Sequence, residues 1–204
     1  MSFKNVQVNQ KHRINILRIF SILLFPSIIF TKSGLPFSEL TMEIIENIGI
    51  LLIIAGVLGR LWSILYIGGR KNSIVMKDGP YSLCRHPLYL FSTMAVLGFG
   101  LMLGSLILTS ILTTFTFLVL VNTAKKEEKF LLSEFGLSYE KYMQSTPRIF
   151  PKLIDFSTPL TATFNSKILF KNFKDGLAFL ALIPFCELIE YFKEVPSWPT
   201  IQLF

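Results

Sequence analysis

The apolar residues of this chain gather in blocks long enough to cross a bilayer, and basic loops separate the blocks. A hydrocarbon core of roughly 30 Å needs about 20 predominantly apolar residues in a helix. The block from Ile44 to Gly68 meets that length, with some tilt, at about 1.5 Å per residue. Composition agrees. Of the 204 residues, 51% are hydrophobic and 16% are charged, whereas average soluble domains carry about 25% charged residues. Twenty phenylalanines would be hard to hide in one soluble core of this size. The pattern predicts an all-α membrane protein of about five transmembrane or interfacial helices, forming one integral membrane domain over residues 1–204.

The first apolar stretch runs from about Ile14 to Phe30 behind Lys4, Lys11 and Arg13. Thr31, Lys32, Ser33, Gly34, Leu35 and Pro36 follow without an A-x-A-like cleavage site, so the stretch reads as a retained span. Arg18 sits one turn in, where its side chain can snorkel to the headgroups. In the second block Gly49, Gly56 and Gly59 would let another helix approach closely. The stretch from Leu88 to Val121 is too long for one span. Gly98, Gly100, Gly104 and Ser105 break it into two helices, near 88–103 and 105–122. A polar amphipathic segment covers 125–144 and ends at Pro147 and Pro151. The last apolar block, Gly176 to Phe192, reads either as a fifth span or as a helix lying in the interface, because it holds Pro184, Glu187 and Glu190.

The net charge of +7 resides in lysines and arginines beside these apolar blocks. That placement points to anionic lipid headgroups as the partner, and not to nucleic acid. The N-terminal segment carries Lys4, Lys11, Arg13 and Arg18 without an acidic residue, and the 69–87 loop carries Arg70, Lys71, Lys77 and Arg85 against Asp78. The 31–43 loop holds Lys32 against Glu39 and Glu43. This alternation places the N-terminus, the 69–87 loop and the segment after 122 on the cytoplasmic side. Cys84 and Cys186 are too far apart in sequence to suggest a metal site or a disulfide framework. No obligate protein partner is implied.

Two stretches carry chemistry. In Asp78-Gly79-Pro80-Tyr81-Ser82-Leu83-Cys84-Arg85-His86-Pro87-Leu88-Tyr89-Leu90, Gly79-Pro80 is turn chemistry and Pro87 opens a helix. Arg85 and His86 then sit at a helix N-terminus, where backbone N–H groups bind anions. Tyr81, His86 and Tyr89 add aromatic faces suited to an adenine ring or a sulfonium cation. The second stretch is Lys125-Lys126-Glu127-Glu128-Lys129, leading into Phe135-Gly136-x-x-Tyr139-x-x-Tyr142 and then Pro147-Arg148-x-Phe150-Pro151. Adjacent helical residues point about 100° apart, so Glu127 and Glu128 would not share one ligand atom.

The order G-P-Y-x-x-x-R-H-P-x-Y, then E-E before F-G-x-x-Y-x-x-Y and P-R-x-x-P, resembles the isoprenylcysteine carboxyl methyltransferase family, to which phospholipid N-methyltransferases are related. The resemblance covers about Arg60 to Pro151, and the approach Arg60-Leu61-Trp62-x-x-Leu65-Tyr66-Ile67-Gly68-Gly69-Arg70-Lys71 looks like that of bacterial members, which implies the bacterial inner membrane. It implies an S-adenosylmethionine-dependent methyltransferase with a cofactor pocket on the cytoplasmic side. Met76, Tyr81, His86, Pro87, Leu88 and Tyr89 should line that pocket. Glu127 should bind the cofactor's amino-acid end, with Glu128 a second candidate. The acceptor is lipid-like or a small amphiphile arriving from the bilayer. Two positions depart from the family pattern: Phe91 stands where Gly is usual, and Thr123 stands where eukaryotic carboxyl methyltransferases have a substrate-contacting Arg.

A carboxylate acceptor is already ionised at pH 7, so O-methylation, the favoured outcome, needs no general base. Arg85 is the choice to orient it. An amine acceptor must lose a proton, to His86 or Glu128. Two other readings stand beside this one: an NADPH-dependent membrane reductase related to sterol reductases, which share an Arg-His-Pro-x-Tyr segment, and a non-catalytic membrane scaffold.

Overall fold

The computed structural model describes residues 10–33, 38–152, 156–195, 198–199 and 201–203. Lys4 and residues 34–36 lie outside them. The protein is a bundle of helices, as an apolar environment demands of a chain that must satisfy its own backbone. In order these are α1 (Gln10–Phe30), α2 (Glu39–Ile67), α3 (Pro80–Leu83), α4 (Pro87–Met102), α5 (Leu106–Phe135), α6 (Leu137–Ser145), α7 (Ser166–Leu180) and α8 (Leu182–Glu194). Two three-residue strands, β1 (Thr31–Ser33) and β2 (Ile201–Leu203), pair in parallel and tie the end of α1 to the C-terminal segment. Three helices, α1, α2 and α5, are long and apolar enough to cross a membrane, and α4 is a shorter apolar helix. The chain is an all-α integral membrane protein apart from the small β pair.

Helix α2 starts at Ser38, whose Oγ accepts the Thr41 N–H at 3.2 Å. It packs most closely on α4, through the small residues that the sequence singles out. A Cβ on Gly49 would lie 2.7 Å from the Gly98 carbonyl oxygen, and one on Gly56 2.7 Å from that of Phe91. The two backbones are therefore in contact, an arrangement open only to small residues. Gly59 has a different neighbour. The Phe91 ring lies directly over it and tilts against Trp62 at 6.4 Å between centroids. The phenylalanine that departs from the family pattern is thus accommodated by a glycine on the facing helix.

The break near Gly104 falls where expected, with Gly104 at φ +65 and the Ser105 Oγ accepting the Leu108 N–H. Beyond it the boundaries differ. Helix α5 does not stop at 122 but continues through Lys125 to Glu128 as far as Phe135, because residues 122–135 contain no helix breaker. Gly136, at φ +51, ends it and starts α6. The anticipated single helix over 176–192 is two helices, α7 and α8, hinged at Ala181. Pro184 is the cause: it lacks an N–H, and its ring clashes with the carbonyl four residues back, where α7 ends. Helix α7 also begins ten residues early, at a cap where the Asn165 Oδ1 accepts the Ile168 N–H at 3.1 Å.

Together α7 and α8 follow the length of the bundle. Ile168 lies near Gly68 and Gly176 against Val57. Cys186 and Ile189 then join the apolar cluster of Ile28, Ile53, Met102, Leu103 and Leu112. The Glu190 carboxylate faces Gly104 in the α4–α5 turn. The opposite end of the bundle carries the N-terminus of α1, the 69–86 loop, the C-terminal third of α5, and α6.

Candidate active site

The polar end is organised by two segments that the sequence separates by sixty residues. The Arg85 N–H donates to the Pro147 carbonyl at 2.9 Å, the His86 N–H to that of Arg148 at 3.0 Å, and the Lys152 N–H to that of Leu83 at 3.0 Å. The Tyr142 hydroxyl donates to the Tyr81 carbonyl at 2.6 Å. The P-R-x-x-P segment therefore lies along the R-H-P loop and fixes the start of α4, where Pro87 occupies the first turn. This pairing is the physical reason for the order and spacing of the motifs.

Glu127 and Glu128, on the last turns of α5, diverge as helical geometry requires, and His86 sits between them. Its Nε2 is 3.2 Å from Glu128 Oε1 and its Nδ1 3.8 Å from Glu127 Oε2. Glu128 is buried, with two guanidiniums on it. Arg148 grips it through Nε at 3.0 Å and Nη2 at 2.7 Å, and Arg85 Nη2 lies 3.2 Å away. The hydrogen bonds to Glu128 hold Arg148 above the usual guanidinium range. Arg85 also donates to the Met143 carbonyl at 3.3 Å. This cluster clamps the loop, α5 and α6 together.

Glu127 faces the other way, into a cavity. The Tyr89 hydroxyl donates to its Oε2 at 2.8 Å, Lys71 Nζ lies 3.0 Å from its Oε1, and Gln10 Nε2 donates to Oε1 at 2.7 Å. Arg13, from the first turn of α1, donates to the Tyr89 hydroxyl at 2.8 Å and lies over the Tyr89 ring. The His86 and Tyr89 rings are parallel, 5.3 Å apart.

The cavity measures about 620 Å³, within the usual range for small-molecule sites. Its polar end includes Met76, Tyr81, Arg85, His86, Tyr89, Glu127 and Tyr139; its apolar part reaches Val96, Thr116, Leu120 and Phe179 between the helices. Of the residues that the sequence proposes, Met76, Tyr81, Arg85, His86, Leu88, Tyr89 and Glu127 border it, whereas Pro87 and Glu128 are packed behind its wall. The Tyr81 hydroxyl is buried without a hydrogen-bond partner. Burial, and then the neighbouring Tyr142, push its pKa well above the ordinary value, so it stays a neutral donor. Cavity residues that the sequence did not single out for the site include Arg13, Arg60, Lys71, Ser92, Asn172 and Phe179. Lys11, Arg13 and Lys71 read equally well as headgroup anchors, so no local signal separated Arg13 and Lys71 as site residues.

A membrane bundle with a polar pocket at one end and an apolar extension between its helices defines a class when set beside known proteins. The phospholipid methyltransferase family model matches residues 45–138, in a chain with three helices long and apolar enough to cross a membrane. It is 33% identical over 184 residues, 90% of this chain and 84% of the relative, to the cobalt-zinc-cadmium resistance protein CzcN of Cupriavidus metallidurans. To the nickel-cobalt-cadmium resistance protein NccN of Alcaligenes xylosoxydans it is 30% identical over 95% of this chain and 90% of the relative. To the protein-S-isoprenylcysteine O-methyltransferase of Schizosaccharomyces pombe it is 31% identical over 40% of this chain and 34% of that enzyme. The chain belongs to the isoprenylcysteine carboxyl methyltransferase family. No solved structure matches it. None of these findings favours the reductase reading.

Proposed function

We propose that this protein transfers the methyl group of S-adenosylmethionine to a lipid-like or small amphiphilic acceptor, with carboxyl O-methylation favoured over N-methylation. The observation that carries the reading is one cavity lined both by Tyr81, His86, Tyr89 and Glu127 and by apolar side chains, Ile64, Val96, Leu120 and Phe179 among them. The donor set fits the cofactor. Glu127 is a carboxylate for its ammonium group, the buried unpartnered Tyr81 hydroxyl can donate to an acceptor atom, and the His86–Tyr89 ring pair offers aromatic faces. When bound, S-adenosylmethionine supplies a methyl group on a sulfonium, transferred by in-line displacement.

The chain's own residues then position and desolvate. Alignment of two reactants at near-attack distance lowers a barrier by ~7–11 kcal/mol at the favourable limit. A carboxylate acceptor attacks through an oxygen lone pair, so no residue need accept a proton. Acceptor and cofactor enter from different sides: the acceptor from the bilayer through the apolar part, the cofactor from the cytoplasmic face.

The test uses purified protein in detergent and labelled S-adenosylmethionine. Binding of the cofactor, and label appearing in a lipid extract when membranes are supplied, support the reading. Label confined to a water-soluble product overturns the lipid-like acceptor, and binding of a nicotinamide cofactor alone overturns the enzyme class.

A further inference from the structure

Four cations border the cavity: Arg13, Arg60, Lys71 and Arg85. Two are neutralised by carboxylates, Lys71 by Glu127 and Arg85 by Glu128. Among the described residues, Arg13 and Arg60 have no carboxylate within ion-pair distance. Arg13 is held by the Tyr89 hydroxyl and ring, and Arg60 by the Ser92 hydroxyl on α4. Asp175 on α7 attracts Arg60 only from beyond ion-pair range, and Arg13 is near enough to repel it. Arg60 lies one turn before Ile64 on α2, on the cavity wall where the polar end gives way to apolar side chains.

Two mutually repelling guanidiniums facing one cavity inside an apolar bundle are an unfavourable arrangement unless an anion joins them, and intramembrane charges of this kind mark ligand paths. We infer that Arg60, supported by Arg13 and positioned by Ser92, is an anion site that holds the negatively charged head of the acceptor while its apolar part lies along Ile64, Val96, Leu120 and Phe179. This rests on the methyltransferase reading and narrows its acceptor to an anionic amphiphile, bearing a carboxylate or a phosphate. It also separates two jobs. Arg85, already paired with Glu128, maintains the loop, and Arg60 selects the acceptor.

The test measures binding of dodecanoate, dodecyl phosphate and dodecanol to the purified protein in a neutral detergent, with acetate and inorganic phosphate as headgroup-only arms. A charge-assisted hydrogen bond is worth about 10- to 100-fold in affinity. Both anionic chains should therefore bind at least about tenfold more tightly than dodecanol. Arg60→Gln should bring that ratio close to one, Arg60→Lys should keep part of it, and Ser92→Ala should lower it. S-adenosylmethionine affinity should be unchanged in all three, which also certifies that they are folded. Equal binding of dodecanol and dodecanoate to the unmodified protein, or an undiminished ratio in Arg60→Gln, would overturn the inference. So would inorganic phosphate binding as tightly as dodecyl phosphate, since the site would then serve a free anion. If the anion preference holds but S-adenosylmethionine does not bind, the cofactor reading fails and the anion site stands.

Discussion

Adjacent residues Glu127 and Glu128 carry the same side chain and do different work, because α5 turns them to opposite sides of His86. Glu128 is enclosed by Arg85, Arg148 and His86. Replacing it by Gln leaves buried Arg85 without its counter-charge, and breaking a buried pair in this way costs about 3–5 kcal/mol. Glu128→Gln should therefore unfold at clearly lower temperature in detergent. Glu127 opens onto the cavity and meets mobile-ended donors, Lys71 and Gln10, that a ligand's ammonium can replace. Glu127→Gln should keep its melting temperature and lose S-adenosylmethionine affinity about 10- to 100-fold, read by calorimetry. An unchanged affinity would place the ammonium elsewhere. Tyr81→Phe gives up no internal hydrogen bond from its hydroxyl, so any loss of cofactor affinity without loss of stability reports a bond made only to the ligand.

The interface between α2 and α4 sets the geometry of the site, since α4 carries His86 at its cap and Tyr89 in its first turn. Phe91 and Gly59 form its most specific contact, a ring lying on a residue with no side chain. Gly59→Leu should destabilise the protein by about 1–3 kcal/mol through overpacking, and Phe91→Ala should destabilise it by leaving a void. The double variant should recover much of the loss, because the new leucine occupies the space that the ring vacates. Thermal unfolding of the four proteins as a cycle measures this coupling, and strict additivity would show that the two residues do not share one space. The glycines of α2 were legible in the sequence as points of close approach, and the motif order located the polar end. The partner of each glycine was not legible, nor was the recruitment of Arg13, whose bond to Tyr89 spans 76 positions. Short-range patterns set helices and caps. Which helices meet is settled by packing across the bundle, and Pro184, noted only as a feature of an apolar block, divides it into two helices.

At the scale of the molecule, the path of the chain fixes which face each end occupies. Helices α1, α2, α4 and α5 run alternately between the motif end and the opposite end, and α7 with α8 runs the same distance a fifth time. Gln10 and Glu127 meet at one end, whereas Trp198 donates to the Ile29 carbonyl and stacks on Phe30 at the other. Along this path Gln10 and Val195 lie at opposite ends of the bundle. The motif end holds Lys71, Lys77, Arg85, Lys125, Lys126 and Arg148, and the far end holds few basic residues, a charge asymmetry that predicts a cytoplasmic motif end. Single cysteines introduced at Lys126 and at Ser38, both exposed, test the assignment with a membrane-impermeant thiol reagent. The native cysteines should stay silent: both are buried, and burial pushes the Cys84 thiol up to about 12. Lys126→Cys should label only after the membrane is opened and Ser38→Cys from outside intact cells. A third cysteine at Val195 should label like the one at Ser38. If it labelled like the one at Lys126, α7 and α8 would return to the motif face, and the cavity would lose its α7 wall.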